Sequence, residues 1–278
     1  MTSPQMTTSA ALFWNSMQGE RVPFSWLGPA VELFRAHNLS PILFTAGGGP
    51  FELDDCYVLA DAGGDLVMWE EPIPARRREL VDALHKREID SLVLDSPRAG
   101  AANRSDWRAN VSVEATSGEL YVGVDEELVS DPVALLRQLY NHAKDDFDVR
   151  YGFAYKMPLE DGPGSYASGF TRTSVSEVFE FIRNRSEWDA RPKTPDQLWS
   201  DELYERRRHL TGLFRGAYPA SILCDAHLQT ARMHAQPVGQ LSKLDGSRWL
   251  WELSEDEIPK AEAMLRAEYA LVSQMTQP

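Results

Sequence analysis

Two periods of apolar and polar positions run along this chain, and the switches between them outline its elements. From Trp26 to His37 apolar residues return every three or four positions, placing Trp26, Ala30, Leu33, Phe34 and His37 on one helical face. Pro41 stops that helix, because the residue before a proline disfavours helical geometry. Ile42-Leu43-Phe44 reads as a strand, and Gly47-Gly48-Gly49-Pro50 as a turn. Two short strands follow, Cys56 to Ala60 and Leu66 to Trp69, joined at Gly63-Gly64. A second helix is predicted over Pro74 to Arg87, with Leu80, Val81 and Leu84 inward, and Ser91 to Asp95 as a buried strand. Pro97 to Asp106 has the composition of a surface loop. The clearest hairpin comes next: Val111, Val113 and Ala115, then Leu120, Val122 and Val124, alternate with other residues on either side of Ser117-Gly118. Asp131 caps a third helix with Pro132 at its first position, and Val133, Leu136, Leu139, Tyr140 and Ala143 form its apolar stripe. Val149 to Tyr155 is a strand.

The order of these elements predicts an α+β fold, a mostly antiparallel sheet with helices packed on one of its faces. Leu159 to Ser168, rich in glycine and proline, reads as a linker or long loop. It divides an α+β N-terminal region, 1–158, from a helix-richer C-terminal region, 169–278, the two forming separate units or one continuous domain. In the second region Ser174 to Arg183 and the charged stretch Leu198 to Leu213 have helical spacing, and Trp188 to Pro195 is irregular. Ser254 with Glu257 gives a capping-box signal for a last helix that carries Ile258, Ala261, Leu265 and Tyr269 inward.

Composition narrows the function. With 278 residues, 43% of them hydrophobic and eight of them Trp, the chain can bury a large core. Its net charge of −14 repels nucleic acid and anionic membranes, and favours encounter with basic partners. Met1 to Ala11 is polar and loose, with no basic segment leading into an apolar one, and no apolar run approaches the ~18 residues of a membrane span. Two distant cysteines, Cys56 and Cys224, suit a reducing compartment, so a cytoplasmic location is expected.

Candidate chemistry is sparse. The Gly47–Gly49 run lacks a following Gly-Lys-Ser/Thr and leads into Glu52, Asp54 and Asp55, which would repel a phosphate. The six histidines show no zinc spacing. His227 and His234, with Cys224 and Asp225 close by, form the one local cluster of ligand-type residues. There is no Gly-x-Ser-x-Gly elbow, Asp54 and Asp55 disfavour a Cys56 thiolate, and no Glu-x-Lys follows Pro195-Asp196 as a restriction-type nuclease would require. The expectation is a protein without catalysis of its own, and without metal or cofactor. Its carboxylate clusters serve either as solvated faces or as a surface for a basic partner.

The series Arg215-Gly216-Ala217-Tyr218-Pro219, Ile222-Leu223, Ala226-His227-Leu228, Pro237-Val238-Gly239, Leu241 and Trp249-Leu250-Trp251-Glu252-Leu253, then a helix after Ile258-Pro259, resembles C-terminal segments of immunity proteins from bacterial polymorphic toxin and type VI secretion systems. The nearest group is encoded beside toxins that carry a restriction-endonuclease-like nuclease domain. Val149-Arg150-Tyr151-Gly152-Phe153-Ala154 also looks like a strand of related immunity families. In such families these motifs are mostly structural. The resemblance covers the last quarter to half of the chain and implies a cytoplasmic antidote that binds a basic, nuclease-like toxin. On that reading Glu126, Glu127, Asp145, Asp146 and Asp148 supply charge, and an exposed aromatic, Trp107 or Trp188, supplies an anchor. Two other readings remain open on the sequence: an enzyme with a carboxylate/His site around His227 and Asp225, and an adaptor or chaperone for a secretion system.

Overall fold

The computed structural model describes residues 4–16, 19–51, 56–58, 75–98, 107–168, 210, 212–231, 233 and 238–271. The expected strand Leu66–Trp69, helix Ser174–Arg183 and irregular stretch Trp188–Pro195 lie outside these residues, as do most of the expected loop Pro97–Asp106 and helix Leu198–Leu213.

The strands are β1 (Met6–Trp14), β2 (Leu43–Gly48), β3 (Cys56–Val58), β4 (Ile89–Pro97), β5 (Trp107–Glu114), β6 (Glu119–Asp125), β7 (Val149–Pro158), β8 (Ala220–Cys224), β9 (Gln240–Asp245) and β10 (Arg248–Glu252). They form one sheet in the order β3-β2-β4-β5-β6-β1-β7-β8-β10-β9, and every neighbouring pair is antiparallel. The helices are α1 (Leu27–Arg35), α2 (Ala75–His85), α3 (Pro132–Ala143), α4 (Pro163–Ala167), α5 (Asp225–Thr230) and α6 (Ile258–Ala267). The α+β reading with a mostly antiparallel sheet therefore holds. A helix-richer C-terminal part is not evident among the described residues, where 220–271 carry three strands and two helices. Because β7 pairs with β8, the sheet runs without a break across the expected boundary at 159–168.

The first strand is the largest departure from the sequence reading. The polar, loose-looking start is the central strand β1, hydrogen-bonded to β6 on one side and β7 on the other, and Thr7 to Phe13 are buried. Small side chains allow sheet neighbours to close in, and each hydroxyl has a partner that offsets its desolvation. Thr7 Oγ1 donates to the Met157 carbonyl at 2.9 Å, Thr8 Oγ1 to the Val129 carbonyl at 2.5 Å, and Ser9 Oγ lies 3.1 Å from Tyr121 Oη.

Helices pack on both faces of the sheet, not on one. On one face Ala10, Leu12 and Trp14 of β1 join Leu33 and Phe34 of α1, Leu80 and Leu84 of α2, and Leu136 and Leu139 of α3. The other face has Ala11 and Phe13 against Ala167 of α4, Leu228 of α5, and Ala261 and Leu265 of α6. The expected linker is thus a packed element: Leu159–Asp161 forms a 3-10 turn, and α4 sits on β6 and β1. At the end of α6, Tyr269 turns outward, 72% exposed with φ of 53°, because the helix has already stopped at Ala267. The β5–β6 hairpin forms as predicted, with Glu114 opposite Glu119 and Gly118 at φ 69°. A Cβ on Gly118 would meet the Trp14 carbonyl at 2.3 Å, so this turn must be glycine.

Just past α1, the chain reverses at Asn38, in left-handed geometry with φ 54°, before Pro41 is reached. The neighbouring His37 is held by a Gln138 hydrogen bond, and its buried Nε2 has no hydrogen-bond partner. Burial lowers its pKa from 6.5, and the Gln138 hydrogen bond partly opposes that shift. The unfolded chain therefore binds this proton more tightly than the folded one. The contribution is present above pH 6.5 and is lost as pH falls through the lower folded pKa. Thermal melts between about pH 7.5 and 5.5 should show wild type losing stability more steeply than His37→Gln. Parallel slopes would remove His37 as the source.

Candidate partner-binding surface

The register through β1 decides which acidic residues can act together. Thr7 lies opposite Asp125, and Trp14 opposite Val149. The cluster after β6 and the cluster before β7 therefore sit at opposite ends of the sheet, about 27 Å apart for nine residues of strand. Glu126 is at the Met6 end, where it accepts from Lys156 Nζ at 2.6 Å, and Glu127 beside it is exposed. Trp107 is also at that end, but it is 7% exposed, with Cη2 only 2.5 Å from where a Gly123 Cβ would stand. It is a core side chain, not the exposed anchor expected from sequence. Trp188 lies outside the described residues.

Asp145, Asp146 and Asp148 gather at the Trp14 end, just beyond the C-terminus of α3. Asp145 is exposed, Asp146 accepts from Ser25 Oγ, and Asp148 is 63% exposed while bridging Arg150 (3.0 Å) and Arg248 (2.5 Å). The pairing of β8, β10 and β9 delivers two more aspartates to the same end. Cys224 is opposite Arg248, and Arg248 is opposite Asp245, so Asp225 and Asp245, both exposed, come to this end of the sheet, Asp245 on the α3 side with Asp148 and Asp225 on the opposite face against Trp249. Tyr140 of α3 ties the rim to the helix by donating to Asp245 Oδ2 at 2.8 Å. Its pKa is raised above 10, first by burial, then by the Asp245 hydrogen bond and the negative charges of Asp245 and Asp148, with Arg248 opposing. The rim also adds to the negative end of the α3 dipole, a placement that opposes folding but strengthens the field offered to a cation.

Asp245 was missed by the sequence reading, and Asp225 was read only as a neighbour of His227 and not as part of an acidic surface. The Asp245-Gly246 turn between Leu241–Leu244 and Trp249–Leu253 was readable as a hairpin signal. The position of Asp225 depends on long-range pairing and was not.

The cluster around His227 is closed. Cys224 Sγ lies 3.2 Å from His227 Nδ1, and the Cys224 backbone N–H donates to the same nitrogen at 3.4 Å, an arrangement that caps α5. His227 has no exposed surface. It stacks on Tyr151 at 4.9 Å and 10°, with Phe214 edge-on at 5.2 Å. Asp225 turns away and accepts from Trp249 Nε1 at 3.0 Å. His234 lies outside the described residues, and no group of three or more His, Cys, Asp or Glu placed to hold a metal occurs among the described ones. Gly47 and Gly48 end β2, opposite Ser91 and Ile89, and the expected turn begins only at Gly49-Pro50; a Cβ on Gly48 would meet the Glu88 carbonyl at 2.4 Å.

The Arg215–Pro219 motif holds α4 to the sheet. Arg215 donates to the carbonyls of Ala167 and Tyr166, the latter at 2.8 Å, and its guanidinium lies over Phe153 (5.2 Å) and Tyr166 (5.9 Å). Its backbone N–H donates to Tyr151 Oη at 3.2 Å, and Tyr218 Oη lies 3.0 Å from Tyr166 Oη. Burial drives the pKa of Tyr151 and Tyr218 upward, so both hydroxyls stay neutral through the physiological range. Arg215→Ala leaves two carbonyls and a stacked ring without their partner, and should cost about 2–3 kcal/mol in chemical denaturation. A loss below about 0.5 kcal/mol would mean that α4 is held by packing alone.

No family model matches the chain, and no curated protein matches it in sequence. Among solved structures, a Pseudomonas aeruginosa T6SS protein is similar over 95% of this chain and 75% of its own, at 10% identity and a TM-score of 0.47. A chain in the crystal structure of the toxic C-terminal tip of CdiA from Pseudomonas aeruginosa, in complex with its immune protein, is similar over 56% of this chain and 89% of its own, at 11% identity and a TM-score of 0.25. Likenesses this distant leave the functional case to the chain's own residues. No helix among the described residues is long and apolar enough to cross a membrane.

Proposed function

We propose that this chain is an immunity protein of a bacterial polymorphic toxin or type VI secretion system. It binds its cognate toxin, a basic nuclease-like effector, in the cytoplasm and neutralises it by occupancy, without turnover. The observation that carries this reading is the rim of Asp145, Asp146, Asp148 and Asp245 on the α3 side of one end of the sheet, with Asp225 at the same end on the other face, in a chain of net charge −14. A nuclease groove is positive because it holds phosphate, and a row of carboxylates can stand in for that phosphate. The C-terminal motifs that resemble immunity proteins support the same reading: Trp249-Leu250-Trp251 lies in β10 beside the rim, and Arg215 locks the face behind it.

The test is co-expression. The gene beside this one is induced with and without this chain, survivors are counted, and the toxin is purified to see whether this chain comes with it. Rescue together with co-purification supports the proposal. A lethal neighbour that is neither rescued nor bound rejects it. Rescue without binding would favour an enzyme that modifies the toxin, and binding that leaves the toxin lethal would favour an adaptor.

A further inference from the structure

On its β2–β4 side, the end of the sheet that carries the aspartate rim carries a groove in which four cations outnumber three carboxylates. The groove is open, about 820 Å³, and is lined by Arg21, Arg78, Lys86 and Arg87 around Gly49 and Pro50. Glu79, Asp82 and Glu88 also line it, but Glu79 is engaged with Arg76 at 2.8 Å. None of the four cations is in an ion pair among the described residues. Arg87 stands in left-handed geometry, φ 57°, where the chain leaves α2 and turns into β4.

Between groove and rim runs the segment before α1. Val22 is hydrogen-bonded to the Ile89 carbonyl at 2.8 Å, which fixes Arg21 beside the α2–β4 turn. Phe24 stacks on His85 of α2, with centroids 3.7 Å apart, and Ser25 donates to Asp146. Phe24 is 39% exposed and, with Tyr269, is one of two exposed large apolar side chains among the described residues. The surface therefore reads in order as cations, one exposed ring, then carboxylates.

A strip that is positive at one end, apolar in the middle and negative at the other is complementary to itself after a two-fold rotation. Such an isologous contact satisfies each charge pair twice. We propose that this end of the molecule is a self-association surface, on which the cationic groove of one copy takes the aspartate rim of a second about an axis near Phe24. The occupant is a second copy because the strip's own charges supply both halves of the contact. Because both contacts use Asp145 and Asp146, a dimer must open before the proposed toxin binds; the self-association itself does not depend on which toxin, if any, the chain neutralises.

Two chains of charge −14 repel at long range, so the association should depend on salt in both directions. At about 0.01 M salt the ~30 Å Debye length lets net repulsion act, near 0.1 M the ~10 Å length screens it while close pairs persist, and at 1 M the pairs are screened as well. Sedimentation of the purified full chain should show the largest dimer fraction near the middle value.

The decisive measurement uses charge reversal in trans. Arg78→Glu with Lys86→Glu takes the net charge from −14 to −18, and Asp145→Lys with Asp146→Lys takes it to −10, because each reversal changes it by two. Each pair of substitutions sets like against like at both contacts and should weaken self-association about tenfold or more. Mixing the two variants restores attraction at both contacts and should restore a one-to-one dimer, which also shows that both are folded. If net repulsion alone governed association, the −10 variant would dimerise better than wild type, and that result would overturn the proposal. A wild-type chain that stays monomeric at every salt concentration would also overturn it, as would variants that associate unchanged or a mixture that does not recover.

Discussion

Replacing Trp251 by alanine is expected to destabilise the protein by about 3–5 kcal/mol. The residue is fully buried in β10. Its ring meets Phe214 edge-on at 5.7 Å, and its Nε1–H donates to the Val238 carbonyl at 2.6 Å. Alanine would empty the space between β10 and the helices on that face, and would leave a carbonyl without its donor. Trp251→Phe separates the two effects: it keeps most of the apolar bulk, loses the hydrogen bond, and should cost about 1–2 kcal/mol. Urea denaturation of both variants checks this. Equal losses would mean that the cavity contributes little.

The second large effect concerns function. Neutralising Asp145, Asp146 and Asp148 together by Asn should slow association with the toxin about tenfold or more at low salt, and the difference should shrink as salt rises. Asn keeps the size and shape of Asp, so the substitution changes mainly the field. Asp148 also bridges Arg150 and Arg248, and its neutralisation leaves two cations facing the approaching partner. Glu126→Gln with Glu127→Gln is the control. Those residues sit about 27 Å away at the other end of β1, and their loss should leave the rate nearly unchanged. Stopped-flow association at two ionic strengths reads both. An equal effect from the control would assign steering to net charge and not to the rim.

Local signals carried much of the fold. The β5–β6 hairpin was legible because alternation and a Ser-Gly turn coincide. The third helix was legible because Asp131 accepts from the N–H groups of Val133 and Ala134 and Pro132 follows it, as the pattern required. β1 was not legible. Thr7-Thr8-Ser9-Ala10-Ala11 carries no large apolar residue, and its hydroxyls are compatible with burial only because partners from distant segments meet them. Helices on both faces were hidden for a related reason. A strand buried on both sides loses its alternation, and every residue of β6 is buried. The candidate surface divides in the same way. The carboxylate clusters were visible as residues. That Glu126 and Asp148 lie at opposite ends, and that Asp225 and Asp245 come to the same end as Asp148, follows from register across β1, β7, β8, β10 and β9, which no local pattern encodes.

Neutralisation by occupancy is tested most directly by titrating the activity of the purified neighbouring toxin with this chain. Activity should fall linearly to zero at one equivalent, and the inhibited complex should regain activity when high salt separates it. Inactivation by a small fraction of an equivalent, persisting after the two are separated, would make this chain an enzyme and contradict occupancy, as would full toxin activity in excess of the chain.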